Sequence, residues 1–509
     1  MRAIGTPFAS RSLVALRSLA LALALASIPA ARAAEPLGHG LTRSEREYVR
    51  THRDEYLRAK FAHTNRGPAP ADIIAAGAEF NPLEGVVFAY TQFPDLVTSL
   101  ATEVAKNAKA FVTVGSDSEE ADAKSRLNAA GANLANVVFD HVKVDSIWMR
   151  DYGPNVCYTK TGDRVIVDLG YNRPRPQDDA HPTQFAAKHN LPVFAPSLIL
   201  PGGNIIFDGH GVVVLTNMVF NGDEGCDPNL TASALEGYFK DYFGIKKVIL
   251  LEQMKEDGTG HADMFCKLLN DTTFIVGQYE NPSEAAADNA AILDRNAAKI
   301  AGETNGKGQP FRVIRMPMPA YDAGVTATYT NSLLVNDKVL VPQYGTAMDA
   351  RALDVYRKAL PGAQVIGFDC REIIRLNGAI HCITHEVNSD PLEIVHTNPQ
   401  NAPADKPLVL TAVVKSQQAL KSVKINWRSA CSSFVTDAMT QDPGNPDTYR
   451  INLGSLPVDT VVQYWITAED ERGMTESFPK NGAPDNAETI IVDQHREARL
   501  PGLATMLGL

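Results

Sequence analysis

The stretch Asn204-Ile-Ile-Phe-Asp208-Gly209-His-Gly-Val212-Val-Val-Leu215 decides the fold of the central region. A polar residue precedes an apolar run, a turn dipeptide follows, and a second apolar run completes a pattern that is typical of a β-hairpin. The same pattern recurs around Thr161-Gly162, Asn270-Asp271 and Asn336-Asp337. Between the hairpins, apolar residues at three-to-four spacing predict helices over residues 232–243, 285–301 and 348–360. The region is therefore predicted to be of the α/β class.

A polar residue or a thiol opens each of five successive modules, namely Asp151, Asn204, Asp263, Asn331 and Cys382. Irregular repeats of roughly 50 to 70 residues are typical of supersecondary units arranged in a ring. Such a ring would bring the five openings to one central point, so we expect the active site there. A single hairpin can begin with a polar cap for purely structural reasons, and the expectation therefore depends on the recurrence.

The composition describes an ordinary globular protein, with 44% hydrophobic and 21% charged residues in a chain of 509. Lysine and arginine number 48 against 59 acidic residues, which gives a net charge of −11. Because no long basic run is present, the sequence predicts no nucleic-acid partner. Residues 34–390 are predicted to form the catalytic domain.

The N-terminus has the pattern of a secretory signal peptide covering residues 1–33. Arg2, Arg11 and Arg17 precede an apolar run over residues 19–28, and Ala31-Arg32-Ala33 is a small-x-small cleavage site. The alternative is an uncleaved anchor or a buried helix. Because no second apolar stretch of spanning length occurs, we expect a mature chain without a membrane span, exported to the periplasm or secreted.

The C-terminal part changes in character after residue 390. Short alternating strands without helical runs predict an immunoglobulin-like β-sandwich over residues 391–495, followed by a tail over 496–509. Two roles remain open for the sandwich, namely a scaffold that packs against the first domain or a surface that binds peptides.

The residue types at the openings predict a particular chemistry. A thiol (Cys382) and an imidazole (His261) can act as nucleophile and acid/base partner. Nearby carboxylates would repel a developing oxyanion, but they suit a planar cation with several N–H donors. The combination predicts thiol attack on a guanidinium carbon.

The sequence gives less support to two other chemistries, a zinc site and a serine hydrolase. His381, His385 and Glu386, with Cys382, could be zinc ligands if residues 377–386 were helical. The sequence has neither HExxH nor paired CxxC spacing, and it predicts a turn and a strand that would point His381 and Cys382 to opposite faces. A serine hydrolase would need G-x-S-x-G, which the sequence lacks.

Five motifs in order resemble those of the agmatine deiminase and Porphyromonas-type peptidylarginine deiminase family. They are Trp148-Met-Arg-Asp151-Tyr-Gly-Pro154, Gly202-Gly-Asn204, Gly260-His261-Ala-Asp263, Thr330-Asn331 and Gly378-Ala-Ile-His-Cys382-Ile-Thr. The resemblance implies a five-bladed α/β propeller of the pentein type and catalysis without a metal or organic cofactor.

The resemblance also implies residue roles. Cys382 is the expected nucleophile, His261 the general acid/base, Asp151 and Asp263 the guanidinium clamps, and Asn331 an orienting residue. Trp148, Asn204 and Asp208 are expected to contribute to substrate binding.

The substrate prediction depends on Arg173-Pro174-Arg175-Pro176. Prolines extend the backbone, and residues two apart then share a face, so the two arginines could bind a carboxylate. This resembles the element that binds a free C-terminal carboxylate in the Porphyromonas-type enzymes. The alternative is a structural loop whose arginines pair with Asp178 and Asp179.

The sequence thus predicts an exported cysteine hydrolase that converts peptide arginine to citrulline and ammonia through a covalent thiouronium intermediate. The C-terminal arginine of a peptide is the preferred target. Agmatine or free arginine is the alternative substrate. A non-catalytic surface-binding protein is the alternative of another class.

Overall fold

Chain positions 37–64, 69–70, 72–255, 257–321, 324–429, 432–471, 473–479, 484 and 487–493 are described by the computed structural model. The described residues from Gly38 onward belong to one compact unit. The predicted signal peptide (1–33) and tail (496–509) lie outside the described residues.

Seventeen strands of the described chain precede residue 390 and form five sheets of three or four strands. The strands are β1 (Ile73–Ala76), β2 (Leu83–Ala89), β3 (Lys109–Val114), β4 (Val137–His141), β5 (Asn155–Thr159), β6 (Arg164–Val167), β7 (Val193–Phe194), β8 (Ile206–Phe207), β9 (Val212–Thr216), β10 (Lys247–Leu251), β11 (Cys266–Asn270), β12 (Thr273–Gln278), β13 (Arg312–Pro317), β14 (Leu333–Val335), β15 (Lys338–Gln343), β16 (Gln364–Asp369) and β17 (Thr384–Asn388).

The described helices are α1 (Arg43–Thr51), α2 (Arg53–Thr64), α3 (Pro94–Val104), α4 (Asp117–Ala129), α5 (Met149–Tyr152), α6 (Pro176–Asp179), α7 (His181–Lys188), α8 (Ala232–Phe243), α9 (Ala287–Ala301) and α10 (Asp349–Ala359). The three helices predicted from the sequence are confirmed as α8, α9 and α10. Helix α8 shows why the limits fall where they do. The Thr231 side chain accepts a hydrogen bond from the Ala234 N–H, and Gly244 ends the helix in the left-handed region at φ 67°.

Each of the five sheets contains at least one antiparallel pair and at least one parallel pair. β8 and β9 are antiparallel, and β10 then adds to β9 in parallel register. The β5–β6–β7, β11–β12–β13 and β14–β15–β16 sets repeat this order. The predicted hairpins are confirmed. Strand β9 is buried along its whole length, which explains its continuous apolar run.

The fifth sheet joins the two ends of the region. Strand β17 pairs antiparallel with β2, so that Thr384 lies opposite Phe88, while β3 and β4 follow β2 in parallel register. The segment after the expected nucleophile is thereby fixed to the beginning of the region.

Four of the five module openings lie in single helical turns, not at the first residue of a strand. Asp151 lies in α5, and the other three lie in 3₁₀ turns at Gly202–Asn204, Ala262–Met264 and His381–Ile383. The predicted strand placement of His381 and Cys382 is therefore wrong. The Asn331 Oδ1 accepts hydrogen bonds from the backbone N–H groups of Ala379 and Cys382, which keeps those groups out of a strand ladder.

The C-terminal part forms two sheets with one shared apolar core. The first contains β18 (Leu392–Val395), β20 (Val409–Ser416), β23 (Thr440–Asp442) and β24 (Asn445–Asn452). The second contains β19 (Asn401–Pro403), β21 (Leu420–Ser429), β22 (Val435–Ala438), β25 (Val461–Asp470), β26 (Thr475–Phe478) and β27 (Glu488–Asp493). Leu410, Ile425 and Ile466 are among the buried residues that both sheets contribute.

This two-sheet part packs on the β5–β6 hairpin. The Thr475 N–H donates to the Lys160 carbonyl at 3.1 Å, and the Gln417 Nε2 donates to the Tyr158 hydroxyl at 3.2 Å. Met474 belongs to the apolar core of the preceding region. Among the described residues, no helix combines the length and apolar character that crossing a bilayer requires.

Candidate active site

Cys382 lies within a buried hydrogen-bonded cluster. The Asn331 Nδ2 donates to the Cys382 Sγ at 3.1 Å and to the Asp263 Oδ2 at 3.2 Å. The thiol also lies 3.7 Å from that carboxylate oxygen. Asn331 therefore orients the thiol through its amide nitrogen, while its carbonyl oxygen holds the turn that carries Cys382.

His261, Asp151 and Asp263 converge on the backbone of Gly203. A Cβ atom at Gly203 would lie 2.6 Å from the His261 Nδ1, 2.8 Å from the Asp151 Oδ1 and 3.4 Å from the Asp263 Oδ1. The Gly203 N–H donates to the Asp151 Oδ1 at 3.3 Å. Glycine is needed here because any side chain would fill the space that the three functional groups face.

The thiol and the imidazole are both neutral at pH 7. Burial raises the pKa of the Cys382 thiol well above its usual value, and the carboxylates of Asp263 and Asp151 raise it further. Burial lowers the pKa of His261 to about 4, against the opposing effect of Asp151 and Asp263. Within the described residues, neither ring nitrogen of His261 has a hydrogen-bond partner, although Nδ1 lies 3.5 Å from the Asp151 Oδ1.

Asp263 is held ionised by a chain of partners that begins at His381. Burial raises the pKa of Asp263, but the His381 hydrogen bond and the nearby imidazoles of His381, His261 and His39 together lower it more, so the net shift is downward. The His381 Nδ1 lies 2.7 Å from the Asp263 Oδ2, and its Nε2 lies 3.1 Å from the Glu79 Oε2. Glu79 in turn accepts a hydrogen bond from the buried Lys267 ammonium at 2.5 Å.

Trp148 forms one wall of the cluster. Its indole ring stacks on the His39 imidazole, with centroids 4.3 Å apart and planes inclined by 15°. The His39 Nε2 lies 2.9 Å from the Asp151 Oδ2. Burial raises the pKa of Asp151, but His261, His39 and the His39 hydrogen bond lower it overall, so Asp151 is ionised.

Arg173 and Arg175 are both buried, and their partners are not the predicted ones. The Arg173 guanidinium donates to the carbonyls of Glu224, Asn172 and His39. Arg175 forms a two-point ion pair with Glu45, with Nε to Oε1 at 2.8 Å and Nη2 to Oε2 at 3.1 Å. The alternative pairing with Asp178 and Asp179 is not what the structure shows, because Asp178 accepts from Ser146 and Asp179 pairs with Lys60.

Asn204 and Asp208 have structural partners. The Asn204 side chain accepts from the Thr216 and Ala262 N–H groups and thereby ties the His261 turn to β9. Asp208 accepts from the N–H groups of His210, Val212 and Gly306, which closes the β8–β9 turn. Both side chains therefore have backbone partners, and their expected contact with substrate stays a prediction.

Two groups of side chains in the site contain residues that could bind a metal ion. Among the described residues, His381, His385, Glu386 and Cys382 do not form a ligand group, since Glu386 pairs with Arg150 and His381 with two carboxylates. His39, Asp151 and His261 each offer one ligand atom, and these atoms lie within 4.8 Å of one another. That set could hold a divalent cation, although His39 and Asp151 already pair directly.

Sequence reasoning missed His39 and understood His381 only as a zinc candidate. His39 precedes every motif and has no periodic signal around it, so nothing local identified it. His381 adjoins the nucleophile, and a histidine beside a catalytic thiol was an available signal for a residue that positions a clamp.

Comparison with known proteins identifies the family. Residues 86–387 match the family model described as Porphyromonas-type peptidyl-arginine deiminase. The chain belongs to this family. As a family member it is a hydrolase that deiminates guanidino groups, and its fold is the pentein-type deiminase fold.

The similar proteins carry agmatine deiminase names. A Vibrio parahaemolyticus protein named "Putative agmatine deiminase" is 25% identical over 358 residues, which cover 61% of this chain and 95% of the relative. The solved agmatine deiminase of Enterococcus faecalis is 22% identical, with a TM-score of 0.57 over 64% of this chain and 98% of that one. A C. jejuni agmatine deiminase with substrate bound is 21% identical, with a TM-score of 0.55 over 64% of this chain and 99% of that one. At these identities the two structures support the fold.

Proposed function

We propose that this protein hydrolyses the guanidino group of a small guanidine compound of the agmatine type to a ureido group and ammonia. The observation that carries the proposal is the convergence of the Asp151 and Asp263 carboxylates with His261 on one point, beside the Cys382 thiol. Two ionised carboxylates in a buried site require a cationic partner, and a planar guanidinium can donate to both. The agmatine deiminase names of the relatives favour the small substrate.

The resting charges indicate how the first step proceeds. The substrate cation binds between Asp151 and Asp263 and offsets the negative potential that raises the pKa of Cys382. The thiol then transfers its proton to neutral His261, and the thiolate forms a bond to the guanidinium carbon. The Asn331 Nδ2 stabilises the sulfur anion through the 3.1 Å hydrogen bond.

The second half of the reaction uses His261 in turn as acid and as base. The imidazolium donates its proton to one terminal nitrogen, the C–N bond breaks, and ammonia leaves a thiouronium bonded to the Cys382 sulfur. Water then attacks the same carbon while neutral His261 accepts one proton. The C–S bond breaks, the sulfur leaves as a thiolate and takes that proton back from His261, and the O-protonated urea passes its remaining extra proton to the released ammonia. A guanidinium and one water thus yield a urea and ammonium.

The test is release of ammonia and formation of the ureido group from agmatine, with Cys382→Ser as the inactive control. Asp151→Asn and Asp263→Asn each remove a clamp charge while keeping the side-chain shape. We expect each to lower kcat/KM for agmatine by about 100-fold or more, because removing one partner of a buried charge pair typically costs ~3–5 kcal/mol. Agmatine turnover that survives Cys382→Ser would contradict the mechanism.

A second candidate is deimination of peptides that end in arginine. Arg173 and Arg175 favour it, because among the described residues each retains one buried guanidinium nitrogen without a partner. Arg173 also donates to the backbone carbonyl of His39, the residue whose ring pairs with Asp151. Turnover of a peptide with free C-terminal arginine, but not of its C-terminal amide, would support this candidate over agmatine.

We also propose, from the sequence alone, that the protein is exported by the signal peptide over residues 1–33. The propeller arrangement of the five sheets and an immunoglobulin-like topology for residues 391–495 are further proposals. Edman or mass-spectrometric determination of the mature N-terminus tests the first, with cleavage before Ala34 as the expected result.

A further inference from the structure

The segment from Gly38 to the end of α2 lies outside the residues that match the family, which begin at position 86. It nevertheless reaches the centre of the active site. Helices α1 and α2 supply its charged and apolar contacts, and His39 lies in the short stretch before α1. A segment outside the matched residues whose His39 side chain pairs with the buried Asp151 carboxylate requires a functional explanation.

His39 pairs with one of the two carboxylates that the proposed guanidinium substrate needs. Its planar ring lies flat on Trp148, with its Nε2 at 2.9 Å from the Asp151 Oδ2 and its edge toward the His261 ring at a centroid distance of 5.3 Å. A guanidinium is likewise planar and donates N–H groups to carboxylates. Substrate and His39 therefore compete for the same carboxylate.

Glu45 occupies Arg175 in the same way. Its carboxylate accepts two hydrogen bonds from the Arg175 guanidinium, and the carbonyls of Gly38 and Gly40 accept two more. Glu45 also forms a capping box with Thr42 at the start of α1, which fixes its orientation. The segment thus supplies an aromatic donor to Asp151 and a carboxylate to Arg175 at once.

Several contacts hold the segment in place. The His39 N–H donates to the Leu376 carbonyl at 3.1 Å, and its Nδ1 lies 2.7 Å from the Asn377 carbonyl. The Lys60 ammonium forms a buried ion pair with Asp179 at 3.0 Å. Four apolar side chains of the segment pack around Ile199, namely Leu41, Val49, Tyr56 and Leu57. A Cβ at Gly40 would lie 2.6 Å from the Gly258 carbonyl, so the segment passes directly against the loop before His261.

The covered site is closed to solvent. Cys382 and His261 are 0% exposed, and Asp151 is 4% exposed. We propose that residues 38–64 are an intramolecular inhibitor, with His39 on the Asp151 carboxylate and Glu45 on Arg175, and that the segment withdraws before substrate binds. The proposal rests on the proposed function only for the identity of the competing substrate.

The experiment uses the full chain with His39→Ala, Glu45→Gln and both changes together. Glu47→Gln is the matched control, because Glu47 lies on α1 in an exposed pair with Arg50. The first measurement is the rate at which iodoacetamide alkylates Cys382 at pH 8, followed by peptide mapping. We expect each single variant to raise that rate by about 10-fold, because each removes charge-assisted contacts that hold the segment down.

The second measurement separates competition from catalysis. An occupant that competes for the site reduces the competent fraction, so its removal should lower KM about 10-fold with kcat unchanged. Glu45→Gln should improve KM for an arginine-ended peptide more than for agmatine. Circular dichroism and the absence of label on the buried Cys157 and Cys266 establish that the fold is retained.

The outcomes are distinguishable. Alkylation that stays at the wild-type rate in the double variant would overturn the inhibitor. A fall in kcat for His39→Ala would also overturn it, because His39 would then belong to the catalytic machinery. Faster alkylation without turnover of any guanidine by any variant would support the covering segment and overturn the proposed function instead.

Discussion

Asn331→Asp tests whether the amide nitrogen stabilises the reacting sulfur. The change keeps the oxygen that accepts from the Ala379 and Cys382 N–H groups at 3.1 and 3.3 Å. It removes the donor to the Cys382 Sγ at 3.1 Å and to the Asp263 Oδ2 at 3.2 Å. The variant therefore separates support of the thiolate from support of the turn.

The expected magnitude follows from the charge of the acceptor. A hydrogen bond to a charged group contributes ~1.5–3 kcal/mol, which corresponds to a loss of roughly 10- to 150-fold in kcat/KM. The new carboxyl group also lies beside Asp263, so one of the two must hold a proton or both repel the thiolate. Either effect should move the thiol limb of the pH–rate profile upward.

The assay is ammonia release across pH 6 to 10 (roughly the range that spans thiol ionisation), with thermal unfolding as the stability readout. Asn270→Asp is the control, because Asn270 also accepts from backbone N–H groups with its side-chain oxygen, in the β11–β12 turn. A variant within threefold of the wild type, with an unshifted profile, would refute the role assigned to Asn331.

Three further changes follow from the same geometry. Gly203→Ala should abolish turnover, because the new methyl group would lie within 3 Å of the His261 and Asp151 side chains. The loss of Tm should be small, since the methyl group meets side chains, which can shift, and not backbone. Full activity would contradict the convergence of the functional groups on Gly203. His381→Asn should raise the pKa of Asp263, because the imidazole hydrogen bond lowers that pKa. We expect KM to increase about 10-fold at pH 6 and to recover at higher pH, where Asp263 is ionised again. A KM that does not depend on pH would contradict this role of His381. Burial raises the pKa of Asp257 to about 6 from 3.8, so the native chain retains a proton that the unfolded chain releases, and stability falls as pH rises between these values. Asp257→Asn should therefore stabilise the protein by up to ~3 kcal/mol at pH 8 and little at pH 4 in urea titrations; equal effects at both pH values would contradict this.

The sequence predicted the repeated hairpins because their turns and apolar runs are local signals. Asn270-Asp271 and Asn336-Asp337 mark turns whatever the rest of the chain does, and α8 carries its own cap and stop. The convergence of Asp151, Asp263, His261 and Cys382 was predictable because the modules recur in order.

The partners of Arg173 and Arg175 could not be predicted in the same way. The spacing of two arginines around prolines indicates a rigid pair of cations, but not which carboxylate reaches them. Glu45 lies about 130 residues earlier, in a helix whose only local signal is its cap. The backbone contacts of Asn204 and Asp208 could not be predicted for a related reason, since the sequence does not distinguish an amide or a carboxylate that accepts from backbone N–H groups from one that binds substrate.

The pairing of β17 with β2 has a consequence for how the protein folds. Thr384 and Phe88 are about 300 residues apart in the chain, so the sheet that joins the two ends has a very high contact order. Cys382 directly precedes β17 and reaches its partners only when that late, non-local pairing forms. Any folding intermediate with the first four sheets complete would lack an assembled nucleophile, so recovery of activity after refolding should follow the slowest structural phase.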